Sequence, residues 1–384
     1  MNRRHGLDWV LMGAVGLLVL IGTLLVWSAT SSREALTGGD STAYLAKQLV
    51  NVAIGVVLMV MVMATDHRWL RIIVPAIYAA SALGLVLVLV MGTTINGSRS
   101  WLMIGGMSIQ PSEFAKLAVV VGMALLVSER AAWSRPVGVV DVAAMLAVAG
   151  LPAALILLQP DLGTMLVLTA TVFGMLAVAG VPRRWVGGLL AGGIAVAALA
   201  ISAGVLKQYQ IDRFMAFTNP ALDPRGAGYN TEQARIAVGN GGIFGQGLFD
   251  GSQTKSGFVP EQHTDFIFTV AGEELGLLGA GLVIALLGVI VWRALAIAVR
   301  AEDMFGRVAA AGIACWIGFQ AFQNIGMCLG IMPVTGVPLP FVSYGGSSMF
   351  AAMLAVGVLQ NIHLRSSSAI PTAFTTPTRH LVRR

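Results

Sequence analysis

An all-α integral membrane fold of ten transmembrane helices, with a large extracytoplasmic loop between the seventh and eighth, is predicted by three observations. The residues are 57% hydrophobic and only 11% charged, too little polar surface to coat a water-soluble globule of 384 residues. Ten apolar runs come close to the ~20 residues a helix needs to cross a bilayer. Positive charge gathers at alternate ends of those runs, as it does where membrane helices are being oriented.

The runs lie near 7–27, 45–64, 72–91, 111–128, 138–158, 164–181, 185–205, 266–292, 308–331 and 345–363. The first follows Arg3 and Arg4 as a secretory leader would, yet it is long enough to span and more spans follow, so it reads as an uncleaved anchor. Glu113 and Lys116 interrupt the fourth, and Gln159-Pro160-Asp161 leaves almost no loop between the fifth and sixth. Placing both termini in the cytoplasm puts fifteen of the 24 lysines and arginines on the inner side, from Arg3 and Arg4 through Arg183 and Arg184 to Arg383 and Arg384. Of the remainder, Lys207, Arg213, Arg225, Arg235 and Lys255 share the outer loop, about 206–265, and a structureless loop of that length is rarely idle. Residues 1–365 thus form a single membrane domain, and 366–384, rich in Ser, Thr, Pro and Arg, are expected to be a disordered cytoplasmic tail.

Several functions are excluded. The net charge of +6 comes without an aromatic-interleaved basic patch, so it points to membrane orientation and not to nucleic acid. Cys315 and Cys328 share one apolar run, which rules out a disulfide framework or a metal cluster. The glycine-dense stretch from Gly239 to Gly247 misses the dinucleotide spacing and follows no strand, so no nucleotide site is expected there.

An ionisable group at membrane depth is costly and needs a partner or a wet cavity. Four places meet that description. Pro111-Ser112-Glu113-Phe114-Ala115-Lys116 opens the fourth span with Glu113 and Lys116 on one helical face, close enough to pair. The alternative is that Glu113 complements the helix N-terminus while Lys116 snorkels outward. Pro260-Glu261-Gln262-His263-Thr264-Asp265-Phe266-Ile267-Phe268 brings Asp265 to the outer mouth of the eighth span. There it either takes a proton from a hydroxyl or caps the helix. His263 beside it has no clustered ligands and reads as polar scaffolding. Gln159-Pro160-Asp161-Leu162-Gly163 is a tight outer turn whose Asp161 caps the sixth span or lines a cavity. In Gly97-Ser98-Arg99-Ser100-Trp101, an outer loop, Arg99 can hold phosphate, and Trp101 can stack on a sugar or sit in the interfacial aromatic belt. Acids at span mouths, cations on the same side and apolar grooves would together suit a lipid pyrophosphate.

These four motifs, with Gln110 preceding the first and with Pro338-Leu339-Pro340-Phe341-Val342-Ser343-Tyr344-Gly345-Gly346-Ser347-Ser348, resemble the SEDS family of shape, elongation, division and sporulation proteins, over nearly the whole membrane region. Asp223-Pro224-Arg225-Gly226-Ala227-Gly228-Tyr229-Asn230 and Met332-Pro333-Val334-Thr335-Gly336-Val337 resemble its elongation branch, RodA, more than its division branch, FtsW. The resemblance implies a ten-helix fold in a bacterial plasma membrane and a peptidoglycan glycosyltransferase. Such an enzyme joins lipid II into β-1,4-linked glycan on undecaprenyl pyrophosphate at the outer face, with inversion.

Position by position, the resemblance makes Asp265 the general base and Glu113 with Lys116 a functional pair. Arg99, Trp101, Gln110, Asp161, His263 and Ser343 become substrate-binding candidates. Charge and topology alone add Arg213 and Arg235 as contacts for substrate phosphates. A divalent cation, Mg or Mn, is the one cofactor the resemblance leaves room for, at the leaving pyrophosphate, and no metal ligands are assigned. The implied partner is a class B penicillin-binding protein, since this chain has no transpeptidase serine motif of its own. A lipid II flippase is the rival reading, because ten spans with embedded charges also suit moving an amphiphile, and a scaffold for wall enzymes is the third.

Overall fold

The computed structural model describes residues 6–95, 98–105, 107–131, 137–202, 204, 217 and 226–366. Arg213, Arg225 and the tail beyond residue 366 lie outside the described residues. The helices are α1 (Trp9–Ser31), α2 (Glu34–Thr37), α3 (Ala43–Ala64), α4 (His67–Met91), α5 (Pro111–Ala131), α6 (Val139–Leu158), α7 (Leu162–Val178), α8 (Arg183–Ser202), α9 (Ala227–Asn240), α10 (Ser252–Ser256), α11 (Ile267–Glu274), α12 (Gly276–Arg300), α13 (Met304–Cys328) and α14 (Gly346–Ser366). Among the described residues, eight spans are long and apolar enough to cross a membrane: α1, α3, α4, α5, α6, α11 with α12, α13 and α14. The two remaining runs also form helices, α7 with 17 residues and α8 with 20.

Burial sorts the helices. Along its apolar stretch α14 is 83% buried and α5 78%, whereas α3 and α4 are 22% buried, so the first pair is central and the second faces lipid. The centre is polar in places. Gln320, Gln323 and Asn324 of α13 and Gln360 and Asn361 of α14 are at most 1% exposed, and with no water in the hydrocarbon their amides must find partners inside the bundle. Helices also approach closely where side chains are absent. A Cβ at Gly22 of α1 would stand 2.5 Å from the backbone of Val342. Gly22→Leu should therefore destabilise the fold by about 1–3 kcal/mol, read as a fall in thermal midpoint in detergent.

Four of the arginines expected at one end pair there with acids. Arg293 donates to Asp8 through Nε (2.8 Å) and Nη2 (2.6 Å). Arg130 pairs with Asp141 and Arg365 with Asp66, each at 3.0 Å, and Arg71 pairs with Asp303.

Three features depart from the sequence reading. First, the segment after α4 is not plain loop. It forms a small antiparallel sheet in the order β1 (Thr93–Ile95), β2 (Ser98–Ile104), β3 (Met107–Ile109), with Thr94 facing Arg99 and Leu102 facing Ile109. Second, the outer loop is not structureless, since α9 and α10 lie within it. Third, the eighth span is broken between α11 and α12, where Gly276 takes a left-handed φ of 66°.

The glycine-dense stretch explains how the break is tolerated. Around it, the backbone N–H groups of Leu277 and Leu278 donate to the Gly242 and Ile243 carbonyls. The N–H groups of Gln246 and Gly247 donate to the Glu273 and Glu274 carbonyls. Backbone groups freed by the interruption are thus paired again, as a membrane requires. Gly245 makes this possible: its φ is 83°, and a Cβ there would lie 2.1 Å from the Glu274 carbonyl oxygen.

Candidate active site

At the end opposite the paired arginines, the starts of α5, α7, α11 and α14 and the strand β2 surround a cavity of about 420 Å³. Trp101, Gln110, Asp161 and Asp265 all line it, so four sequence-predicted residues from four separate motifs come together. Thr335, Gly336, Tyr344 and Ser347 complete much of the lining.

Asp265 is half-buried in that wall. It does not cap the helix that follows: the N-cap position of α11 is Phe266, and no side chain caps it. A carboxylate at a helix start usually serves as the cap, so its placement on the cavity wall sets it apart. A Cβ at Gly336 would stand 3.3 Å from Asp265 Oδ2, which shows how closely the loop before α14 approaches the carboxylate.

Asp161 both caps and lines. Its Oδ1 accepts from the Thr164 backbone N–H at 3.0 Å, and its Oδ2 accepts from Thr164 Oγ1 at 2.7 Å and from Gln110 Nε2 at 3.2 Å. Gln110 is held in turn by Ser347, whose Oγ accepts from the Gln110 backbone N–H at 2.9 Å. Ser98 Oγ donates to the Gln159 carbonyl at 2.7 Å, tying β2 to the turn that carries Asp161.

Glu113 and Lys116 do not line the cavity; they lie next to its wall. Lys116 is 0% and Glu113 2% exposed, so the lysine does not snorkel. Lys116 Nζ donates to Glu113 Oε1 at 2.7 Å and to Gln320 Oε1 at 2.6 Å, and it stands 5.2 Å above the Trp316 ring. Gln320 Nε2 then donates to the carbonyl of Pro338, a lining residue, at 2.8 Å. The buried pair is therefore one amide away from the cavity. The sequence reading missed Gln320 and its neighbours Gln323 and Asn324. The available signal was three amides on one face of an apolar helix.

Other candidates lie elsewhere. Arg99 is exposed and turns back onto the end of α4, where Nε donates to the Gly92 carbonyl and Nη2 to the Val90 carbonyl, both at 2.8 Å. A cation at a helix C-terminus contributes at most about 1 kcal/mol. Arg99→Ala should accordingly soften α4 slightly and leave the chemistry of the cavity close to wild type. Loss of activity at unchanged thermal stability would instead mean that Arg99 reaches substrate. Arg235 is largely exposed, with Glu232 at 3.9 Å, and does not line the cavity. Among the described residues, the lining holds no lysine or arginine. Ser343 is buried behind the wall, where its Oγ accepts from the Leu339 N–H at 2.8 Å. Nor, among the described residues, do three His, Cys, Asp or Glu side chains cluster to hold a metal ion.

His263 packs edge-on to Tyr44, with ring centroids 5.1 Å apart, and lies 5.7 Å from Tyr344, which lines the cavity. Burial pushes its pKa below the ordinary 6.5, although Glu261 pulls the other way. A group with a depressed pKa stabilises the fold above its unfolded value and loses that contribution as pH falls through the lowered one. Acidification from pH 7 to below that value should lower the thermal midpoint of the wild type more than that of His263→Phe, which keeps the ring and loses the proton site.

The family model described as cell cycle protein, covering FtsW, RodA and SpoVE, matches residues 8–368. Stage V sporulation protein E of Bacillus subtilis is 39% identical over 92% of this chain and 96% of its own length. The peptidoglycan glycosyltransferase MrdB of Escherichia coli K12 is 36% identical over 94% and 96%. Among solved structures, a chain described under the structural coordination of polymerization and crosslinking by a peptidoglycan synthase complex is 32% identical. It superposes with a TM-score of 0.78, covering 95% of this chain and 100% of that one. The rod shape determining protein RodA of Thermus thermophilus is 30% identical with a TM-score of 0.69, over 94% of this chain and 98% of that one. Matched along nearly its whole length by the family model and by full-length relatives, this multi-pass membrane chain belongs to the SEDS family of FtsW, RodA and SpoVE.

Proposed function

We propose that this chain is a peptidoglycan glycosyltransferase that polymerises lipid II at the outer face of a bacterial plasma membrane. The observation that carries the reading is the placement of Asp265 on the wall of a cavity at the end of the bundle opposite the paired arginines. Positive charge marks the cytoplasmic end, so the cavity opens outward and both termini face the cytoplasm. In the proposed reaction the Asp265 carboxylate takes the proton from the 4-hydroxyl of one lipid II as that oxygen attacks the anomeric carbon of a second sugar. The bond to undecaprenyl pyrophosphate breaks with inversion, and the pyrophosphate leaves with its electron pair. Trp101 offers a ring for a sugar face, and Gln110 with Asp161 gives the cavity a fixed polar edge. The described residues supply no lining cation for the diphosphate; Arg213, in the segment left undescribed, keeps its proposed role there.

The likeness to RodA, and the Met332–Val337 motif that borders the cavity, support a role in cell elongation and rod shape. The likeness to a chain from a complex that coordinates polymerization with crosslinking supports a class B penicillin-binding protein as partner. Purified protein supplied with labelled lipid II tests the reading. Glycan ladders are expected, and translocation of lipid II without polymer would favour a flippase instead.

A further inference from the structure

Asn324 sits on α13 beside Gln320 and Gln323, and all three are at most 1% exposed. Its Nδ2 donates to two carbonyls, that of Asp265 at 2.7 Å and that of Val337 at 2.7 Å. Both hydrogens of one amide are thereby spent, one on the residue that carries the proposed base and one on the lining loop that passes beside its carboxylate. Neighbouring amides hold the same loop without touching residue 265. Gln323 Nε2 donates to Thr335 Oγ1 at 2.7 Å, and Gln320 Nε2 donates to the Pro338 carbonyl at 2.8 Å.

We propose that Asn324 is the positioning residue for Asp265: it clamps the chain at 265 to the loop at 337 and so fixes where the carboxylate stands in the cavity. The chemistry of the side chain fits the task. A carboxamide nitrogen offers two donors about 120° apart, whereas an aspartate of the same size offers none and a serine only one. The carbonyl of Asp265 needs such a partner because it lies just ahead of α11, where its segment leaves the loop for the buried helix. Val337 is 1% exposed, so its carbonyl too must be satisfied by protein. Asn324 does not line the cavity and touches no reacting atom, so it acts only through Asp265.

The inference rests on the glycosyltransferase reading for its catalytic consequence but not for its geometry, and the test has two arms. In the first, full-length Asn324→Leu, with Asn324→Ala in reserve should Leu not purify as a monodisperse protein, is assayed on labelled lipid II. A positioning role predicts a fall in kcat of roughly 100-fold, the scale of a misplaced reacting group, with KM for lipid II within about twofold. An unchanged kcat, or a loss confined to KM, would overturn it. In the second arm, Asp265→Cys is made in a chain carrying Cys315→Ala and Cys328→Ala, and its alkylation by a charged maleimide is timed with and without Asn324→Leu. A loosened clamp predicts a rate changed about tenfold or more, and an identical rate would overturn the proposal. Should the wild type make no polymer, the function assigned above fails while the alkylation arm still decides the clamp.

Discussion

Asp265→Asn should abolish polymerisation of lipid II while leaving the bundle folded. An amide of the same shape cannot take a proton, and removal of a general base commonly lowers rates by about 10²–10⁴-fold. The fold should survive because the side chain stands half-buried on a cavity wall and does not cap α11. Glycan ladders resolved on gels, together with a thermal melt of the same preparation, check both parts. Wild-type rates in the variant would refute the assignment of the base.

Lys116→Ala should be the most destabilising single change around the site. It strands the Glu113 carboxylate, 2% exposed, in the middle of the bundle, and breaking a buried pair by removing one partner costs about 3–5 kcal/mol. It also removes one of the two donors to Gln320 Oε1, leaving Trp316 Nε1 at 2.7 Å, and so loosens the amide that holds the Pro338 carbonyl. Lys255→Ala is the comparison. That lysine pairs with Asp250 at 2.8 Å but is half exposed, and such surface pairs are worth about 0–1 kcal/mol. Replacing both charges, as in Glu113→Gln with Lys116→Met, should recover much of the stability without restoring full activity, because the link to Gln320 stays broken. Equal effects from Lys116→Ala and Lys255→Ala in thermal melts would contradict the buried network.

The spans were legible because the bilayer imposes length and apolarity on each helix separately: among the described residues a helix stands at each marked run, and eight spans are long and apolar enough to cross. The cavity was legible in part, since Trp101, Gln110, Asp161 and Asp265 belong to polar motifs at span mouths and all meet there. What escaped depended on contacts distant in sequence. Whether Arg99 faced substrate or the end of its neighbouring helix could not be read locally, because a cation serves either. The role of the glycines from 239 to 247 became visible only with the break at Gly276 that their backbone fills. The sheet had left a signal: Asn96-Gly97 between Thr93–Ile95 and Ser98–Ile104 is a two-residue hairpin pattern. A search for apolar runs of ~20 residues passes over strands of three to seven. The amides of α13 went unread because glutamine and asparagine carry no charge to stand out in a hydrophobic helix.

The most direct measurement of the central claim is a structure of the protein with a non-hydrolysable lipid II analogue bound. The acceptor sugar is expected in the outward cavity, with its 4-hydroxyl about 2.6–3.2 Å from an Asp265 carboxylate oxygen. An analogue seated at the arginine-rich end, or in the cavity with that hydroxyl turned away from Asp265, would contradict the account.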